Sequence, residues 1–496
     1  VSNPMRQTKQ QAEQQPALVR GIGLGNAIAL NVNNMIGVGP FITLPLVILA
    51  MHGPQAILGW ILGAVLAVCD GLVWAELGAA MPEAGGSYAF LRRIYGADKA
   101  GRWIAFLYIW QLTFSAPLSI ASGCVGLAQY AGYLFPVLRR IDFAYQLPLE
   151  IPFAGSFHVA ILLGPATLVA MGSCALAVAL LYRNIRSVGG VSQWLLVGVL
   201  LTLGAMIFAG MTHFHAHLAF AFPPGAFHLS TAFLEGLGAA MLITTYDYWG
   251  AYNICFLGGE VRSPGRTIPR SILWSIVLVA ALYLLMNISV LGVIPWQDLV
   301  GRAGAEERLS VAAVFMQRIY GTLAGQGIAL LVIWTAFASV YSLLLGYSRV
   351  PYAAALDGNY FRIFARVHPK YKFPNLSLLL LGGLAMLFCT LQLTDLVAAL
   401  VIIRILLQFL LQQVGLIVLR FTQPDLPRPF RVWLYPLPPL LACAGFLYIL
   451  LERPAFQREI FYAVVLVLVG SAIYLVRAFV QKEWPFAARP TVAQPD

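Results

Sequence analysis

Apolar runs of about 20 residues recur from end to end of the chain, separated by short polar segments, and that is the length an α-helix needs to cross the hydrocarbon core of a bilayer. The pattern predicts spans at 19–51, 55–80, 100–135, 158–182, 188–211, 228–257, 270–294, 325–356, 374–393, 394–420, 434–452 and 459–481. The flanking stretches 1–18 and 482–496 are polar and are expected to be solvated tails. Two spans are interrupted. In the first, Asn33-Asn34-Met35-Ile36-Gly37-Val38-Gly39-Pro40-Phe41 sets two glycines and a proline in the middle of the run. In a helix interior Gly costs about 1 kcal/mol and Pro about 3 kcal/mol. Backbone groups freed at membrane depth are tolerated only where they face protein, water or a ligand, so the break marks a candidate binding site; a kinked, lipid-facing helix is the plainer alternative. Five helices later, span six repeats the oddity. Glu235-Gly236 leads into Thr244-Thr245-Tyr246-Asp247-Tyr248-Trp249-Gly250, an acid and a cluster of aromatics deep inside an apolar run.

Composition narrows the class. The 496 residues are 60% hydrophobic and only 10% charged, against about 25% charged in soluble domains; the expected fold is an all-α integral membrane protein with twelve transmembrane helices. The net charge of +11 suggests a nucleic-acid partner until the charges are placed. Of 31 Lys and Arg, 23 fall in loops on one side of the predicted membrane, seven on the other, and Arg404 lies within a span. This is the positive-inside asymmetry, which sets both termini in the cytoplasm of a multi-pass cytoplasmic-membrane protein and needs no nucleic acid. The six cysteines all lie in apolar spans, so neither a disulfide framework nor an obligate, covalently held partner subunit is expected. His213, His215 and His217 alternate in an outer loop without a nearby carboxylate; a wet loop is the expected reading and a metal site the lesser one. No cofactor is implied.

Charged and hydroxyl residues inside spans carry the chemistry. An aspartate near the bilayer centre is costly unless paired, hydrated or protonated, so Asp247 is a candidate for holding a substrate amine, for carrying a coupling proton, or for an ion pair with Arg404. Arg404 needs a partner, and Asp70, Glu235 and Asp247 qualify; these four are the gating or coupling candidates. Glu76, near the cytoplasmic boundary, reads as structural. Thr335, Ser339 and Ser342 offer oxygens for a sodium ion, although helix hydroxyls usually bond their own backbone. Gln111 and Ser115 are weaker candidates for lining a site. No His-Glu-x-x-His, glycine-flanked nucleophile or paired acids at catalytic spacing occurs, which argues against an intramembrane enzyme. Paired broken spans in two five-helix halves point to a transporter built as an inverted repeat.

At these residues the chain resembles the amino acid–polyamine–organocation transporter superfamily. The resemblance rests on Gly37-Val38-Gly39, Ala75-Glu76-Leu77-Gly78 with Met81-Pro82-Glu83-Ala84-Gly85-Gly86-Ser87-Tyr88, and Gly259-Glu260-Val261-Arg262-Ser263-Pro264-Gly265-Arg266. It continues through Ser348-Arg349-Val350, Asp357-Gly358, Val367-His368-Pro369 and Arg428-Pro429-Phe430. It implies a five-plus-five inverted repeat, residues 19–211 and 228–420, with two extra helices in 434–481, working by alternating access. It further implies a substrate carboxylate held by the amides of Ile36, Gly37, Val38 and Gly39, at the positive end of the following half-helix. Tyr246 aligns with an aromatic gate and Trp249 with the next site-facing position, where a ring adds cation–π attraction to an amine. Two departures bear on substrate. Val38 stands where a serine hydroxyl is common, and Val199 where some members carry a lysine in place of sodium. With Pro40 and Asp70, which resemble the polyamine-uptake branch, they keep a polyamine or other organic-cation carrier as the alternative to an amino acid transporter.

Overall fold

A computed structural model describes residues 18–151, 155–300, 310–392, 394–453 and 455–486. The 1–17 part of the first tail, residues 487–496 and the outer-loop cations Arg302 and Arg308 lie outside them. Among the described residues, seven apolar helical segments are long enough to cross a membrane, and eight if a bent pair counts as one.

The bent pair is the first predicted interruption. Helix α1 (Leu24–Met35) ends where Ile36 leaves the helical region at ψ 85°, and α2 (Gly39–Met51) begins one turn later with Pro40 in its first turn. The two axes differ by 47°. Proline is tolerated there because the first N–H groups of a helix have no internal acceptor. The chain continues through α3 (Ile57–Ala80), a short amphipathic α4 (Ser87–Ile94) and the long α5 (Ala100–Leu134).

A small sheet follows, which the hydrophobic pattern did not reveal. Strands β1 (Phe143–Ile151) and β2 (Gly155–Leu163) pair antiparallel with Phe143 opposite Leu163, and β2 also pairs with the two-residue β3 (Leu391–Gln392). The expected span over 158–182 is therefore shortened: helix α6 runs Pro165–Leu181. Gly164, fully extended, and Pro165 at the first helical position punctuate an otherwise continuous apolar run. Pro148 lies on β1, an edge strand, where a missing N–H costs no ladder bond.

Helix α7 (Ile185–Thr212) and a short α8 (Ala216–Ala219) lead to the second interruption. Helix α9 (Thr231–Tyr248) stops at Trp249, whose ψ is 137°, and α10 (Asn253–Phe256) resumes for a single turn. Gly250 takes φ +124°, and a Cβ there would press on the Asn34 side chain and backbone, so the close approach of the two breaks requires glycine. Helices α11 (Pro264–Leu291), α12 (Trp296–Val300), α13 (Val311–Tyr320), α14 (Thr322–Tyr347) and α15 (Arg349–Leu356) come next, and then α16 (Asn375–Phe388). Helix α17 (Thr394–Arg404) passes through a π-helical segment, Ile405–Leu410, into α18 (Leu411–Thr422), and α19 (Leu437–Leu451) and α20 (Phe456–Val480) close the fold. Helix α11 packs along α3 and α14 along α5, with the two broken segments between them. The outer flanks are rich in exposed Leu, Val, Phe and Trp, as a lipid-facing surface requires.

Candidate substrate site

The two breaks meet. Asn34 donates from Nδ2 to the Gly250 carbonyl at 3.4 Å, Asn31 Oδ1 accepts the Ile254 N–H at 3.1 Å, and Ser339 of α14 donates to the Asn34 carbonyl at 3.4 Å. Tyr283 of α11 supplies one hydroxyl to both carbonyl ends, Met35 O at 2.9 Å and Asp247 O at 3.3 Å. Side-chain amides and a phenol thus take the place of the helical bonds lost at each break.

A cavity of about 120 Å³ lies against this junction. Gly37, Val38, Gly39, Tyr246, Asp247, Trp249 and Arg404 all line it. Ile36 does not: it is fully buried, and its N–H continues α1 by bonding Val32 O at 2.8 Å. The Gly37 N–H turns to Met35 O at 3.2 Å, whereas the amides of Val38 and Gly39 have no backbone partner among the described residues. Of the amide group expected to receive an anion, these two remain available, at the start of α2 where the helix dipole is positive. A Cβ on Gly39 would collide with the Asp247 carboxylate, and one on Gly37 would meet Ser339 Oγ at 2.9 Å. The Val38 side chain rests on Gly126 of α5, whose missing Cβ leaves room for it.

The charged candidates separate. Asp247 is 3% exposed and accepts from Thr43 Oγ1 of α2 at 2.6 Å. Asp70 lies outside the cavity; it accepts from Gln413 Nε2 at 2.6 Å and lines a void of about 10 Å³, with Trp249 and Tyr252 forming the wall between the two spaces. Glu235 is exposed, away from both. Arg404 forms no ion pair with any of these acids, nor with any other described residue; its guanidinium lies 5.7 Å from the Trp249 ring centre and 3.4 Å from Ser119 Oγ. Tyr246 stands beside Trp249, ring centres 5.3 Å apart, and is 43% exposed at the cavity. Trp249 in turn stacks on Phe409, within the π-helical segment.

The hydroxyl candidates are mostly engaged elsewhere. Thr335 bonds Leu331 O at 2.9 Å and Thr202 at 3.0 Å, and Ser115 bonds Gln111 at 2.9 Å away from the cavity. Only Ser339 of the sodium set lines it. Ser119, Ser122 and Gly123, the next turns of α5, with Leu343 and Tyr347 of α14, are wall residues that sequence reasoning missed; it also missed Tyr283, which joins the two breaks without lining the cavity. The serine stripe 115–119–122 was legible, but its depth relative to the breaks was not. The three outer-loop histidines join no group able to hold a metal among the described residues.

The fold and the site invite comparison with known proteins. Residues 22–471 match the family model for amino acid permeases. The chain belongs to the amino acid permease family. The serine/threonine exchanger SteT of Bacillus subtilis is 26% identical, over 87% of this chain and 91% of that protein. The branched-chain amino acid permease BcaP of the same organism is 25% identical over 93% of each. The Asc-type amino acid transporter 1 of mouse is 28% identical over 85% of this chain and 74% of its own. This permease is accordingly a multi-pass membrane protein that carries amino acids and not an enzyme. The segments that carried the resemblance turn out to bind one another. Glu76 accepts from Arg420 at 3.0 Å and from the Val432 amide at 2.7 Å, with Arg428 3.4 Å away. Glu260 and Arg349 form a bidentate pair, both contacts 3.0 Å, and Arg92 meets Asp357 at 2.9 Å.

Proposed function

We propose that this permease moves a zwitterionic amino acid across the cytoplasmic membrane by alternating access around the junction of its two broken helices. The bent pair, the seven long helices, α9–α10 and the shorter apolar helices α6, α16 and α19 support twelve spans, arranged as two inverted five-helix halves followed by two helices. Both termini then face the cytoplasm. The observation that carries the reading is the pair of unpartnered amides, Val38 and Gly39, opening α2 beside the Asp247 carboxylate in one cavity. The substrate carboxylate takes the amides, where charge-assisted bonds to backbone N–H need no side chain. The ammonium takes Asp247, and Tyr246 closes over the bound molecule while Trp249 backs it. A proton competes with the ammonium for Asp247, which makes this the coupling residue we assign. No partner subunit enters the scheme.

A polyamine carrier fits less well. Asp70, its second anion, is turned to Gln413 outside the cavity, and Arg404 sets a fixed positive charge in the wall that a polycation would meet. The test is uptake by the purified protein in liposomes, with each amino acid class and with putrescine and spermidine. Amino acid affinity should fall as the pH drops through the Asp247 titration, because the protonated acid no longer holds an ammonium, and Asp247→Asn should lower affinity and flatten that profile. Uptake of polyamines alone, or an unchanged profile in the variant, would overturn the assignment.

A further inference from the structure

The scheme above balances a zwitterion with the α2 amides and Asp247, and it leaves Arg404 over. Resting on that reading, we infer that the substrate carries a second anionic group: the carrier selects acidic amino acids, and the side-chain carboxylate docks on Arg404.

Arg404 is 5% exposed and lines the same cavity as Gly39 and Asp247. A guanidinium removed from water is strongly disfavoured unless an anion or a set of acceptors replaces its hydration. Among the described side chains, the acids on the elements around it are engaged or remote. Asp247 turns to Thr43, Asp70 to Gln413, and Glu76 to Arg420 and the Val432 amide. What Arg404 does have is a serine hydroxyl at the far limit of hydrogen bonding and the face of Trp249. Those contacts fix its direction without neutralising it. Its planar fork of donors matches a carboxylate through two parallel bonds, and Ser122, at the cavity wall, can donate to the same group, whereas Ser119 already gives its hydroxyl to the Ser115 carbonyl at 2.8 Å. The π-helical segment begins at the next residue, Ile405. Such a segment widens the turn and shifts the register of the side chains on either side, consistent with Arg404 being turned inward toward the cavity and not along the helix.

The assignment predicts that the wild-type protein discriminates between isosteres that differ in one charge. In liposome uptake and in ligand-induced thermal stabilisation, glutamate or aspartate should be preferred over glutamine or asparagine by about tenfold or more. Arg404→Met should remove that preference, reducing glutamate uptake at least about tenfold relative to glutamine. Arg404→Lys, which keeps the charge and loses the fork, should fall between. The wild-type comparison needs no variant, so a misfolded Arg404→Met does not shield the idea. A preference for glutamine over glutamate in the wild-type protein overturns it. So does uptake of neutral amino acids that requires chloride and fails in gluconate, because an inorganic anion then serves Arg404. In either of those cases amino acid uptake that remains sensitive to Gly39→Ala leaves the site assignment standing and removes only the acidic selectivity. If no amino acid of any class is bound or carried, the site assignment fails with it.

Discussion

Gly37 and Gly39 look interchangeable in the sequence and differ in what surrounds them. A methyl at 37 meets Ser339, whose side chain can rotate or shift by a few tenths of an ångström. At 39 it meets a carboxylate that is already fixed by Thr43. Gly39→Ala should therefore lower substrate affinity by about tenfold or more, roughly 1.4 kcal/mol, and Gly37→Ala by clearly less, measured as dissociation constants from thermal stabilisation. Equal effects would show that the amides of α2 are not the anchor. The sequence supplied both glycines and the acid. That the acid faces Gly39 and the arginine faces neither Asp70 nor Glu235 depends on helix rotation, which residue identity does not specify.

At the scale of elements, the first break was legible because two glycines and a proline interrupt an apolar run, and the second because an acid and a cluster of aromatics do. How each break is stabilised was not. Tyr283, twenty residues into α11, sits between the carbonyl ends of α1 and α9, and nothing in its local sequence separates it from a packing tyrosine. Removing that hydroxyl leaves the Asp247 carbonyl without this bond and Met35 O with the Gly37 N–H alone. Tyr283→Phe is expected to destabilise the protein by about 1 kcal/mol, the usual worth of a polar bond between membrane helices, and to lower the melting temperature in detergent. A variant as stable as wild type would mean that water already serves these carbonyls. The β1–β2 hairpin escaped notice because the end of β2, from residue 158, runs as an apolar stretch into the next helix, and only Gly164 and Pro165 mark where strand gives way to helix.

Across the whole molecule, the basic side is tied together by ion pairs distant in sequence. Glu260, after α10, and Arg349, at the start of α15, are 0% and 3% exposed at the side chain and joined by two bonds. The backbone of Glu260 also receives the N–H groups of Gly21 and Ile22, so the same short segment holds the entrance to α1. Breaking one member of a buried pair leaves an uncompensated charge, about 3–5 kcal/mol, whereas replacing both with apolar residues is often neutral. Glu260→Met and Arg349→Met should each lower the melting temperature sharply and the double variant should recover much of it. If the losses simply add, the pair is not coupled and the tie is carried by the backbone contacts alone.

The sequence by itself determined the class of molecule. Span length, charge asymmetry and the two interruptions follow from the cost of exposing backbone and charge to hydrocarbon, and that cost acts locally along the chain. It also named the glycines of the first break, the aspartate and the arginine that line the cavity, because such residues inside apolar runs are expensive and stand out. Only the tertiary structure decided the pairing. Asp247 with Thr43, Asp70 with Gln413, and Arg404 without a carboxylate follow from which faces of packed helices are turned toward one another. Those rotations come from the summed fit of buried side chains over the whole bundle, and no window of sequence contains that sum.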